Sequence, residues 1–143
     1  MVSEWGLTPK QSIAFECARR GRDDVIRDCV ALLQGQNVDN DFLRGIAGPA
    51  AETVLEGRAG GLDGYWPRVW AARGLLHEWD DVATDAIIES TTNESWRVRE
   101  MTLKVIARHH VRPAIDAVVT RLDDHNARVR AAASRAFRVI NAS

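Results

Sequence analysis

Apolar residues recur along this chain at intervals of three and four, with polar residues between them, the spacing of one buried face of an α-helix. Thr8-Pro9 opens the first such run, a hydroxyl N-cap followed by a proline whose missing N–H costs nothing at the first helical position. Ile13, Ala14, Cys17 and Ala18 then form one stripe, which Gly21 closes. A second helix is predicted from Asp23 or Asp24 through Val25, Ile26, Cys29, Val30 and Leu33 to Gly35. Asp39 or Asn40 caps a third, short helix carrying Phe42, Leu43 and Ile46, which Gly48-Pro49 breaks. A short helix around 50–55 leads into the glycine-rich stretch 57–64, read as a flexible connection. Further helices are predicted over 66–76, with Pro67 in the first turn, and over 82–90, 96–106, 113–122 and 127–140.

From about residue 49 the pattern repeats. Arg97-Val98-Arg99 recurs as Arg128-Val129-Arg130, and Ile87-Ile88 recurs at the same interval as Val118-Val119, while Arg68-Val69 precedes Arg97-Val98 by a nearly equal one. Val98, Met101, Thr102, Val105 and Ile106 share the spacing of Val129, Ala132, Ala133, Ala136, Phe137 and Ile140. A helix pair recurring near every thirtieth position is the mark of stacked repeats, because one pair cannot bury its own apolar face.

The segment Asp123-Asp124-His125-Asn126-Ala127-Arg128-Val129-Arg130-Ala131-Ala132 resembles the unit of HEAT and HEAT-like repeat proteins: a helix, a turn with Asp or Asn, then Val-Arg opening a second helix. Asn93-Glu94-Ser95-Trp96-Arg97-Val98-Arg99 resembles it without the Asp, and Gly64–Ala72 is a degenerate copy with Trp70 at the place of the motif's Arg. The resemblance implies an all-α fold: a short right-handed α-solenoid of about three hairpins (49–79, 80–110, 111–143), preceded by an N-terminal helical cap or diverged repeat over 1–48, together one domain. It also implies that Arg99, Arg130 and Asp124 tie neighbouring repeats together. It specifies a fold and not an activity.

Composition agrees with a globular domain: 143 residues, 45% hydrophobic and 27% charged, with only four prolines and one tyrosine. Met1–Gly6 lacks the apolar core of a signal peptide, and the aliphatic run Val30–Leu33 is far below a membrane span, so a cytoplasmic protein without a membrane partner is expected. Cys17 and Cys29 read as small buried side chains in a reducing compartment, with a disulfide between them left open. The net charge of −1 hides an asymmetry: residues 1–90 hold 9 Lys+Arg against 15 Asp+Glu, and residues 91–143 hold 10 against 5.

The chemistry-bearing residues point away from catalysis. His77, His109, His110 and His125 show no ligand spacing. His77-Glu78 resembles the His-Glu pairs of a HEAT-type metal oxygenase family, but His77 stands closer behind Val69 than His109 does behind Val98, which puts the two on different faces. No metal, no cofactor and no catalytic residue is expected. Five tryptophans, Trp5, Trp66, Trp70, Trp79 and Trp96, serve either as core or as interface anchors. Arg68, Arg97 and Arg128 superpose at the residue before the motif valine, and Lys104 and Arg135 superpose six positions after that valine, with Arg121 and Arg138 extending the rows. The expected function is a non-catalytic scaffold that binds an acidic protein surface or another anionic macromolecule through Trp66, Arg68, Trp70, Trp96, Arg97, Lys104, Arg128 and Arg135. Nucleic acid is the weaker version of that partner, because the chain as a whole is slightly acidic. The alternative is enzymatic, since HEAT-like units also occur in bilin-handling lyases and DNA base-excision enzymes. There Trp66, Trp70, Trp96 and Arg97 line a pocket, with Asp63 or Glu100 as acid–base candidate. Self-association is a third expectation, from the acidic first part and the basic last part.

Overall fold

The structure, a computed structural model, describes residues 6–142, which places Trp5 outside the described residues. Among these the secondary structure is nine α-helices and three short 3-10 turns, without a strand. The chain divides into two compact units, residues 1–79 and 80–143. No helix of the described residues is long and apolar enough to cross a membrane.

The first unit contains α1 (Pro9–Arg20), α2 (Arg22–Leu33), α3 (Asn40–Ala47), α4 (Ala50–Leu55) and α5 (Trp66–His77). Thr8 caps α1 with its hydroxyl, accepting from the Gln11 N–H while the Gln11 side chain accepts from the Thr8 N–H, a reciprocal capping box. Asp39 caps α3 by accepting from the Asp41 N–H at 2.8 Å. The main partner of α5 is α2, with α1 and α3 beside it, whereas α4 packs chiefly on α3 and on the 3-10 turn Gly61–Asp63. Close approach of α5 depends on Gly74, where a Cβ would sit 3.1 Å from both Cys29 Sγ and Ile13 Cδ1. Both cysteines are free; burial pushes both thiols up, far more strongly for the fully buried Cys29.

Glu16 is the one charged side chain deep in this unit among the described residues, 2% exposed. Arg20 Nε donates to its Oε1 at 2.6 Å, and the Arg20 guanidinium lies 5.5 Å from the centre of the Phe42 ring. Gly45 on α3 makes room for the carboxylate, since a Cβ there would fall 2.6 Å from Glu16 Oε1. The glycine-rich stretch expected to be flexible forms a definite turn, with Gly57, Ala59, Gly60 and Gly61 at positive φ. Arg68 holds it, donating through Nη1 to the carbonyls of Asp63 (3.2 Å) and Gly64 (2.9 Å).

The second unit is built from α6 (Thr84–Ser90), α7 (Trp96–His109), α8 (Ile115–Arg121) and α9 (Ala127–Ala142). The 3-10 turns Asp81–Ala83 and Arg112–Ala114 precede α6 and α8. The sequence pattern places helix over the last two residues of the first turn and of the second. They wind more tightly because the Asp80 carboxylate takes the Val82 N–H, and because Pro113 has no N–H to give to an α-helical bond. Turn, helix and helix begin at Asp81, Thr84 and Trp96, then again at Arg112, Ile115 and Ala127, each at the same interval from its counterpart. The core repeats in the same register: Ala83 and Ala114, Ile87 and Val118, Val98 and Val129 are all fully buried.

The turns before α7 and α9 are locked by arginine. Arg99 Nη1 donates to the carbonyls of Asn93 and Glu94, and Arg130 Nη1 donates to those of Asp124 and His125, the same pair of bonds one repeat later. The rest of the Arg99 fork grips Asp124, with Nε to Oδ2 at 2.9 Å and Nη2 to Oδ1 at 3.0 Å, and Arg121 Nη1 adds a bond of 3.0 Å to Oδ2. Asp124 Oδ1 also accepts from the Asn126 N–H. Burial pushes the Asp124 carboxyl up, but the Arg99 and Asn126 hydrogen bonds and the charges of Arg99 and Arg121 outweigh it and hold the group below the ordinary carboxylate range.

Two outcomes follow. Gly45→Ala should lower the unfolding free energy of the first unit by about 2 kcal/mol through overpacking against Glu16, measured by denaturant unfolding; an unchanged midpoint would mean that Glu16 moves aside freely. Asp124→Asn should cost the second unit about 3 kcal/mol by stranding Arg99 and Arg121. Because the folded Asp124 carboxyl titrates below its unfolded value, its stabilisation is complete above the unfolded pKa and vanishes as pH falls through the folded one. Acid unfolding of Asp124→Asn, followed by circular dichroism, should therefore have a shallower pH dependence than that of the parent.

Candidate functional site

Ser95 accepts from the Arg97 N–H and starts α7, and the Asn126 side chain accepts from the Arg128 and Val129 N–H groups and starts α9. With those starts fixed, residues 97, 100, 101, 104 and 108 share one face of α7, and 128, 131, 132 and 135 the equivalent face of α9. The two helices pack directly on one another. Trp96, half-buried, lies at the head of the pair with two guanidinium groups over its ring, Arg97 at 4.5 Å and Arg128 at 5.5 Å from its centre. Arg128 Nε also donates to Glu100 Oε2 at 2.9 Å, and Lys104 Nζ stands 3.9 Å from the same oxygen.

This face carries Arg97, Lys104, Arg108, Arg128 and Arg135 against one carboxylate, Glu100. The Arg128 side chain is 65% exposed and that of Lys104 45%, whereas Glu100 is tucked between the helices at 14%. Arg108 and Arg135 are exposed, and neither has a carboxylate within ion-pair distance among the described residues. The sequence reading did not single out Arg108, although its place one helical turn after Lys104 was the available signal.

The other anticipated residues are placed differently. Trp66, Arg68 and Trp70 belong to the first unit. Trp70 is only 6% exposed and its ring stacks on Trp66 at 6.4 Å, so it serves the core around α5. Arg68 is committed to the carbonyls of the glycine-rich turn. Arg121, expected to extend the basic rows, is bound instead to Asp124, with its Nε buried and without a partner among the described residues. Arg138 donates to Ser134 Oγ on its own helix. Asp63 and Glu100, the acid–base candidates, lie in separate units, and Glu100 is engaged by Arg128.

Two cavities in the first unit were not anticipated. One, about 640 Å³ and widely open, is lined by Arg20, Asp24, Arg27, Asp28, Asn37, Val38 and Asp39. Burial raises the Asp28 carboxyl above its ordinary value despite the nearby Arg27 and Arg20. The other, about 230 Å³, has Leu32, Val38, Leu43 and Leu62 among its walls. Among the described residues no group of three or more His, Cys, Asp or Glu side chains is placed to hold a metal ion. Comparison with protein-family models, with curated proteins and with solved structures finds no match for this chain.

Since Arg128 is largely in water, its pair with Glu100 should do little for folding. A double-mutant cycle with Arg128→Ala and Glu100→Gln, read by denaturant unfolding, should give a coupling of about 0.5 kcal/mol; a coupling several times larger would make the pair a structural element.

Proposed function

We propose that the chain is a short right-handed α-solenoid of HEAT-like hairpins behind an N-terminal helical cap, and that it acts as a non-catalytic scaffold capturing an acidic segment of another protein. The docking surface is the α7–α9 face, with Trp96, Arg97, Lys104, Arg128 and Arg135 as the contact residues and Arg108 added to them. The excess of five cations over one carboxylate around a half-buried tryptophan carries this reading. Tryptophan and arginine are the residue types that dominate interface energetics, and a one-sign patch steers an oppositely charged partner. The common interval at which turns, helices and arginine bonds recur supports the stacked-hairpin architecture. An acidic peptide suits the face better than a nucleic acid, because a nucleic-acid surface is ordinarily set in a strongly basic domain and this chain has a net charge of −1.

Fluorescence anisotropy with a labelled decaglutamate peptide tests it. The parent should bind at low ionic strength, more weakly as salt screens the face. Arg97→Glu with Arg128→Glu should keep the helical circular dichroism and the melting temperature while losing about tenfold or more in affinity. A parent that ignores decaglutamate would overturn the proposal, and tighter binding of an oligothymidylate of equal length would shift the partner to nucleic acid.

A further inference from the structure

We infer that Glu100 is a resident stand-in for the partner's carboxylate, which sets the charge density a ligand needs to dock; this rests on the reading of the α7–α9 face as an anion-binding surface. Three observations carry it. Glu100 is the sole carboxylate on that face, its Oε2 accepts from Arg128 Nε (2.9 Å) and lies in ion-pair range of Lys104 Nζ (3.9 Å), and its partial burial contrasts with the exposure of these two cations. The Nε edge of the Arg128 fork, one of the positions from which a guanidinium grips a carboxylate through two donors, is therefore already occupied. The fold of the second unit does not need this contact, because its turns are closed by Arg99, Arg130 and Asp124.

The consequence is a threshold. A ligand with a single carboxylate that displaces Glu100 from Arg128 exchanges one ion pair for another and gains almost nothing. A ligand with clustered carboxylates reaches Arg135 at the same time, two turns further along α9 and about 10 Å away by the helical rise, and Arg97 and Arg108 on α7. The partner class is thus a run of Glu or Asp, and not a segment with one isolated acidic residue. Glu100 rejects the second kind by competing with it.

Glu100→Gln keeps the shape and removes the competing charge. Its control is Glu94→Gln, the same change of net charge on the exposed turn before α7. Affinity for labelled decaglutamate is measured for both variants and the parent, alongside the two-dimensional nuclear magnetic resonance signal of the Trp96 indole N–H, which reports the guanidinium groups stacked over that ring. Glu100→Gln should bind decaglutamate about threefold more tightly than the parent, as expected for loss of one exposed ion pair. It should also bind a peptide with one glutamate about threefold more tightly than the parent does, with Trp96 shifting on titration, and Glu94→Gln should match the parent. Equal affinities of parent and Glu100→Gln, or an equal gain in both variants, would overturn the stand-in role and leave the docking face intact. Absence of binding by parent and Glu100→Gln alike would instead overturn the docking face, and the stand-in role with it.

Discussion

The second unit is organised around one buried carboxylate. Asp124 is 6% exposed and receives two donors from Arg99, one from Arg121 and one from the Asn126 backbone. Such a charge is tolerable inside a protein only when its lone pairs are met, and here geometry meets them from three directions. Because Arg99 also holds the carbonyls of Asn93 and Glu94, this one interaction joins the turn before α7 to the turn before α9. Local caps start the two helices, and this contact fixes the turns that lead into them relative to one another.

That constraint divides the arginines into two populations with different physics. Arg68, Arg99, Arg121 and Arg130 donate to backbone carbonyls or to Asp124, and are engaged in closing turns. Arg108, Arg128 and Arg135 stand in solvent on the α7–α9 face, whose leading turns Arg99, Arg121 and Arg130 close. A buried or carbonyl-bound guanidinium contributes to folding, whereas an exposed one paired at the surface contributes little to stability and is available for recognition. The same residue type is thus committed to turns at some positions and left largely in solvent at others within a short stretch of chain, and the acceptors within reach of each guanidinium decide which.

The first unit shows how far a periodic pattern can be followed. The starts of α1 and α3 are legible because Thr8-Pro9 and Asp39 act on backbone N–H groups within the first turn of each helix, a purely local chemistry. Packing partners are another matter. Counting joins 50–55 to 66–76 as one hairpin, yet α4 lies mainly on α3 while α5 lies on α2, where Gly74 permits close approach to Cys29 and Ile13. Glu16 gave no signal at all: a glutamate in an amphipathic helix reads as surface, and only Gly45 on a different helix makes the space that buries it.

The candidate face was legible in outline, since equal intervals align Arg97 with Arg128 and Lys104 with Arg135 whatever the details of packing. Which of the aligned residues remain in solvent was not legible, because that depends on neighbours distant in sequence: Arg68 is drawn to the carbonyls of a turn, Trp70 goes into a core, and Arg128 meets Glu100 across a helix–helix contact. Helical class, helix starts and the repeat interval are therefore properties of the sequence alone, being set by hydrogen bonds and side-chain spacing within one turn of helix. The division of like residues into those bound to turns or packed in a core and those left in solvent belongs to the tertiary structure, because the partners within reach are a property of the surroundings and not of the residue.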